Sequence, residues 1–147
     1  MRIRPADIAD LAAIARIVVA AYTKYIERIG KPPGPMLDDY AALIRAHAVW
    51  VTDDLSGLIV LLAEPDHLLL DNIAVDPALQ GRGVGRALMR FAEAEARRRL
   101  GVAARVPLLL SLGFATGPKQ LPLVLRALAR LRDPAGNQVE LNFREAA

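Results

Sequence analysis

Residues 75–89 read V-D-P-A-L-Q-G-R-G-V-G-R-A-L-M, and this stretch decides the fold prediction. The apolar run L-L-L-D-N-I-A-V, residues 68–75, leads into it, and apolar residues at helical spacing follow from residue 86 to about residue 100. The pattern therefore predicts a strand, a proline turn, a glycine-rich loop and a helix, in that order.

The glycine-rich loop has the properties of an anion site. Gly81, Gly83 and Gly85 remove every second side chain, so that a ligand can approach the backbone closely. The first N–H groups of the following helix have no intrahelical partner and lie at the positive end of its dipole. Arg82 and Arg86 add positive charge. Because phosphate is the usual anion at such a place, the loop predicts a phosphate-binding site.

The glycine spacing excludes two common phosphate motifs. The dinucleotide fingerprint requires G-x-G-x-x-G, but the sixth position is Arg86 when counted from Gly81 and Leu88 when counted from Gly83. The P-loop requires Gly-Lys-Ser/Thr, and the chain has no such end. A glycine-rich strand–helix connection that binds nothing is the structural alternative.

The spacing Gln80-x-x-Gly83-x-Gly85 resembles the Q/R-x-x-G-x-G/A acyl-CoA signature of the GNAT superfamily of N-acetyltransferases. The resemblance covers about residues 1–100. It implies an α/β (α+β) fold with a mixed, mostly antiparallel central sheet flanked by helices. We expect a single GNAT-like domain over residues 1–147, with an atypical C-terminus after Gly101.

The resemblance also implies acetyl-CoA as co-substrate. The loop amides would hold its pyrophosphate, and the backbone of the preceding strand would pair with its pantetheine arm. In the family a backbone N–H near the end of that strand usually stabilises the oxyanion. The implied cofactor-binding residues are Ile73, Ala74 and Val75 in the strand and Gly81, Arg82, Gly83, Val84, Gly85 and Arg86 in the loop.

The implied chemistry is direct attack of a primary amine, of a small molecule or a peptide, on the thioester. Asp71 is a candidate base or amine anchor, and a strand aspartate satisfied by hydrogen bonds is an equal alternative. Alternation predicts that Asp71 shares a face with Ile73 and that Asn72 faces the other side. Tyr22 and Tyr25 belong to helices that wall the acceptor pocket in the family, and they are the candidate acids besides His67, which we expect to be a turn residue.

The last third of the chain departs from the family pattern. No tyrosine follows Tyr40, so the usual tyrosine that protonates the thiolate is missing. The second hypothesis is therefore a catalytically impaired CoA-binding or regulatory module. A strand over residues 105–112, a helix over residues 121–131 and a single strand over residues 138–143 are predicted. An uncovered edge would remain, which favours a homodimer.

Residues 133–141 also resemble the end of glyoxalase-like metalloproteins, in which the glutamate at position 140 would be a metal ligand. A turn that leads into a strand is the stronger interpretation, because only His47 and His67 could complete a metal site. We therefore expect no metal.

The composition limits the remaining function classes. The 147 residues include no cysteine, which excludes a disulfide and a cysteine-linked acyl-enzyme. The net charge is only +3 and the aromatic content is 5%, so stacking on nucleic acid is not expected. No apolar run has transmembrane length and no signal-peptide pattern begins the chain. These features predict a cytoplasmic protein without a membrane partner.

Secondary structure is predicted along the first hundred residues as follows. A strand begins at Ile3, and Asp7 caps a helix that runs from Ile8 to about Arg28. A second helix spans residues 37–46. Strands at residues 49–51, 58–63 and 67–75 follow, joined by turns.

Overall fold

The computed structural model describes residues 1–65 and 67–101. In this part of the chain, four strands form one sheet in the order β1-β2-β3-β4, and each strand is antiparallel to its neighbour. They are β1 (Ile3–Pro5), β2 (Val49–Thr52), β3 (Gly57–Ala63) and β4 (Leu68–Val75). The predicted antiparallel sheet is confirmed. The strands predicted at residues 105–112 and 138–143, the helix at 121–131 and the turn at 133–141 lie outside the described residues.

The described helices are α1 (Leu11–Tyr22), α2 (Ile26–Ile29), α3 (Tyr40–Arg45) and α4 (Val84–Leu100). The single helix predicted from residue 8 to about residue 28 is wrong, because 3₁₀ turns at Ile8–Asp10 and Thr23–Tyr25 flank α1. Asp7 does cap the first turn: its Oδ1 accepts the Ala9 N–H at 3.0 Å. None of these helices is long and apolar enough to cross a membrane.

Capping residues explain where the shorter helices begin and end. Asp39 Oδ1 accepts the Ala42 N–H at 3.0 Å, so α3 begins at Tyr40 and not at residue 37 as predicted. The chain leaves α2 through Gly30, whose φ of 77° is left-handed and favours glycine. These caps fix the segment between α2 and α3 as a separate connection, which contains the 3₁₀ turn Gly34–Met36.

The sheet separates two apolar clusters. One cluster packs α1 and α3 against one face of the sheet, through residues such as Ile17, Ile44 and Val60. The other packs α4 against the opposite face, through residues such as Leu88 and Leu70. The described part of the domain is thus a sheet between two helical layers, which is a stable way to bury both faces.

Gly57 allows α4 to start very close to the sheet. A Cβ at this position would lie 2.9 Å from Val84 Cγ1 and 3.1 Å from the Ala74 carbonyl oxygen. Only a residue without a side chain fits there. The first turn of α4 is therefore fixed against the start of β3 and the end of β4.

Candidate functional site

Asp76 anchors the connection between β4 and α4. Its Oδ1 accepts the Ala78 N–H at 3.0 Å and so caps the 3₁₀ turn Pro77–Leu79. Its Oδ2 lies 3.0 Å from Arg16 Nη1 of α1, and its own N–H donates to the Ser56 carbonyl at 2.9 Å. Three elements of the fold therefore hold the entrance to the glycine-rich loop.

Gly81 and Gly83 give this loop its shape. Both have left-handed backbone angles, with φ of 82° and 86°, and Gly83 is the N-cap of α4. The first intrahelical bond runs from the Ala87 N–H to the Gly83 carbonyl at 3.0 Å. The N–H groups before Ala87 in the first turn consequently have no acceptor within the helix.

The surface over the loop is open among the described residues. A Cβ built on Gly81 or Gly83 meets no atom within 4 Å, and one on Gly85 meets only Val75 Cγ2 at 3.8 Å. Arg82 and Arg86 are exposed beside this opening. Left-handed glycine backbone, a helix N-terminus and two exposed cations fit a pyrophosphate group.

The strand that leads to the loop contains a β-bulge. Leu61 pairs with Leu70, but the next residue of β3, Val60, pairs with Asn72. Asp71 is therefore the extra residue, and the ordinary alternation of side chains shifts by one position there. The bulge turns Asn72 toward the α1 face of the sheet, while Leu70 before it belongs to the α4 cluster.

Asn72 connects two tyrosine hydroxyls in the interior. The Tyr22 hydroxyl lies 2.5 Å from Asn72 Oδ1 and 3.0 Å from the Ile73 carbonyl oxygen, so its single proton serves both acceptors. Asn72 Nδ2 donates to the Tyr40 hydroxyl at 2.9 Å, and that hydroxyl donates to the Pro35 carbonyl at 2.6 Å. Asn72 is only 1% exposed, so these bonds satisfy groups that water cannot reach.

Burial and nearby carboxylates raise the pKa of both hydroxyls. The pKa of Tyr22 lies well above its usual value, chiefly because the side chain is desolvated, and Tyr25, Asp71 and Asp38 add to the rise. Burial likewise raises the pKa of Tyr40. Both phenols are therefore neutral donors at every physiological pH.

Asp71 acts electrostatically on the α1 side of the sheet. Its charge contributes to the raised pKa of Tyr22 and Tyr40, and it raises the pKa of Asp38, for which burial is the larger cause. The alternation that assigned Asp71 to the face of Ile73 does not account for this, because the bulge interrupts it at Asp71. Asp71, Asp38 and the two tyrosines thus form one electrostatic group beside the bulge.

The predicted site residues divide into two neighbouring groups. The Tyr22 and Tyr25 ring centroids lie 6.2 Å apart, at the end of α1 and in the 3₁₀ turn that follows it, and the charge of Asp71 acts on Tyr22. The predicted cofactor-binding residues form the second group, which begins at the end of β4 and continues, after the 3₁₀ turn, in the glycine-rich loop and the first turn of α4. They are Ile73, Ala74, Val75, Gly81, Arg82, Gly83, Val84, Gly85 and Arg86. His67 lies immediately before β4, as expected for a turn residue.

Sequence reasoning gave no role to Asn72, although it is the centre of the hydrogen-bond network. Asn72 and Asp71 are the two polar residues in the eight-residue strand β4, and a polar residue in such an apolar strand is the sequence signal that could have indicated a role for Asn72.

No group of three or more metal-ligating side chains occurs in residues 1–65 and 67–101.

Solved structures with a similar fold include two acetyltransferases and a GNAT-like decarboxylase. The ribosomal-protein-S18-alanine N-acetyltransferase from Escherichia coli is 21% identical, with a TM-score of 0.56, over 86% of this chain and 75% of that one. A GNAT family acetyltransferase from Brucella melitensis, solved with acetyl-CoA, is 27% identical, with a TM-score of 0.52, over 77% of each chain. A GNAT-like decarboxylase, GphF, solved with isobutyryl-CoA, is 22% identical, with a TM-score of 0.56, over 95% of this chain and 80% of that one.

These neighbours place the described fold in the GNAT class. The sequence model of the acetyltransferase (GNAT) family matches residues 11–114, more than two-thirds of the chain. The chain therefore belongs to the GNAT acetyltransferase family, as the loop signature predicted. The comparison with curated protein sequences gives no significant match.

Proposed function

We propose that this protein is an N-acetyltransferase that uses acetyl-CoA and acetylates a primary amine of a small molecule or peptide. The observation that carries the proposal is the loop from Gly81 to Arg86 at the N-terminus of α4. Two of its glycines have left-handed backbone angles, and no described atom lies within 4 Å of a Cβ built on either of them. Its spacing matches the family signature, and the Brucella melitensis relative was solved with acetyl-CoA.

Acetyl-CoA would supply the activated acetyl thioester. The amides of the loop would bind the pyrophosphate, and Arg82 and Arg86 would add charge-assisted contacts from the side chains. Ile73, Ala74 and Val75 would offer their backbone to the pantetheine arm. The bulge at Asp71 supports this placement, because bulges bend a strand and are common beside active sites.

The transfer requires a donor for the oxyanion, an acceptor for the amine proton and an acid for the departing sulfur. In our proposal the Val75 N–H stabilises the oxyanion and Asp71 anchors or deprotonates the amine. Tyr25 is preferred to Tyr22 as the acid. The Tyr22 proton already serves Asn72 and Ile73, and the raised pKa of Tyr22 opposes its release.

The test is a panel of primary amines with acetyl-CoA, in which free thiol is measured for each acceptor. The panel should contain polyamines, aminoglycoside-type amines and peptides with free N-termini. A functional enzyme transfers acetyl to at least one of them, and Asp71→Asn lowers kcat/KM for that acceptor with an unchanged Kd for CoA. Asp53→Asn is the matched control, because Asp53 lies in the turn after β2 and pairs with Arg2 and Arg4.

A CoA-binding or regulatory module is the second candidate, favoured by the lack of any tyrosine after Tyr40. The GphF neighbour shows that a GNAT-like fold also occurs in a decarboxylase. CoA binding without acetyl transfer to any amine would favour this candidate. Absence of CoA binding would refute both.

A further inference from the structure

The side chain of Tyr22 reaches across to the main chain of β4. Its hydroxyl lies 3.0 Å from the carbonyl oxygen of Ile73, the second residue after the bulged Asp71. A bulge disrupts the ladder locally, so the backbone there is held less firmly by the neighbouring strand. The hydroxyl therefore supplies a hydrogen bond to β4 at a point where the regular pairing has just been interrupted.

Asn72 fixes the hydroxyl in that position. Its Oδ1 lies 2.5 Å from the Tyr22 oxygen, and its Nδ2 is held in turn by the Tyr40 hydroxyl at 2.9 Å. The Tyr40 hydroxyl ends the chain of bonds on the Pro35 carbonyl. All of these side chains are at least nine-tenths buried, so each lost bond would leave a polar group without water.

The hydrogen bonds of Tyr22, Asn72 and Tyr40 join the layer of α1 and α3 to strand β4. Tyr22 ends α1, Pro35 lies in the 3₁₀ turn before α3, and Asn72 and Ile73 belong to β4. Ile73 is also the first residue of the backbone stretch assigned to the pantetheine arm. A side chain from the α1 layer therefore contacts that stretch directly, in addition to its pairing with β3.

We infer that Tyr22 and Asn72 are positioning residues, which hold the bulged segment of β4 in the orientation that receives the pantetheine arm. This inference rests on the proposed function. It separates two contributions to CoA affinity: the loop determines how the pyrophosphate binds, and the network determines how much the pantetheine arm adds. Tyr22 then acts through Ile73 and need not donate a proton to the sulfur.

The experiment compares two ligands by isothermal titration calorimetry. CoA contains the pantetheine arm, whereas adenosine 3′-phosphate 5′-diphosphate ends at the pyrophosphate. Their affinity ratio measures what the arm contributes. We expect Tyr22→Phe to lower this ratio about 3- to 10-fold, as expected for one buried hydrogen bond, with little change in the Kd of the fragment. Asn72→Leu should lower the ratio at least as much.

A control separates positioning from a general loss of stability. Asp10→Asn removes the negative charge and one of the two oxygens that accept hydrogen bonds from Arg4, at 2.7 and 3.0 Å, at the far end of α1. This variant should lose stability and keep the parent ratio. If Asn72→Leu does not fold, Tyr22→Phe alone decides.

Each outcome has a distinct meaning. An unchanged ratio in Tyr22→Phe, or an equal weakening of both ligands, would overturn the inference and leave the proposed function intact. A parent protein that binds neither ligand would refute the proposed function, and the inference with it.

Discussion

Replacement of Gly83 by alanine tests the glycine-rich loop most directly. At φ 86° and ψ 5° an L-residue is strained by about 1–2 kcal/mol relative to glycine, although no described atom lies within 4 Å of the new Cβ. This strain should lower the Tm by about 2–8 °C. The new methyl group also enters the open space beside the loop, where our proposal places the phosphate. Loss of one charge-assisted amide contact to phosphate should raise the Kd for CoA about 10- to 150-fold.

Two other glycines provide matched controls. Gly30 has nearly the same backbone angles, φ 77° and ψ 6°, and an equally open Cβ position, but it ends α2. Gly30→Ala should therefore lower the Tm by the same amount without changing the Kd for CoA. Gly85 lies inside α4 and its Cβ would make only an ordinary contact at 3.8 Å. Gly85→Ala should stabilise the fold by about 0.5–1 kcal/mol, and CoA should still bind, because the family signature accepts alanine there.

The assay is calorimetric titration of CoA into each variant, with Tm from circular dichroism. Equal CoA affinity for Gly83→Ala and Gly30→Ala would show that the loop is not the phosphate site. A larger loss of affinity in Gly30→Ala than in Gly83→Ala would refute the reasoning altogether.

Four further predictions concern charge, catalysis, pH and assembly. Arg82→Ala and Arg86→Ala should each weaken CoA binding by about 1–3 kcal/mol, more at low salt than at high salt; no change at any salt concentration would show that these side chains point elsewhere. Tyr25→Phe should lower kcat with CoA affinity retained; an unchanged kcat would exclude the hydroxyl as the acid. Glu95→Gln should lower the free energy of unfolding by about 0.3–1 kcal/mol at pH 7. The hydrogen bond from Arg98 lowers the folded-state pKa of Glu95 to about 2 from 4.5, so that stabilisation is present above pH 4.5 and disappears as the pH falls toward 2, as urea titrations over this range would reveal. Light scattering should give the mass of a homodimer, and a monomer at working concentrations would contradict the edge-strand argument.

Sequence patterns predicted the elements whose causes are local. The strand–turn–loop–helix order around Gly83 follows from glycine, proline and periodicity, and the structure confirms it. Asp7 was also recognised as a cap, because a capping interaction spans only a few residues. The same reasoning failed between residues 8 and 28, where 3₁₀ turns flank α1 although the apolar period continues through them. The spacing of apolar residues is similar in an α-helix and in an α-helix flanked by 3₁₀ turns, so this spacing alone does not show where the α-helix begins and ends.

The family and the glycine-rich loop were thus predicted from the sequence alone, because glycine spacing is a property of adjacent residues. The bulge at Asp71 was decided only by the tertiary structure. It depends on how β4 pairs with β3, and that register is set by contacts between residues distant in sequence. The shift of one position turns Asn72 toward Tyr22, 50 residues earlier in the chain, and toward Tyr40. The glycine-rich loop is therefore visible in fifteen consecutive letters, whereas the network behind it exists only once two strands and two helical segments have packed together.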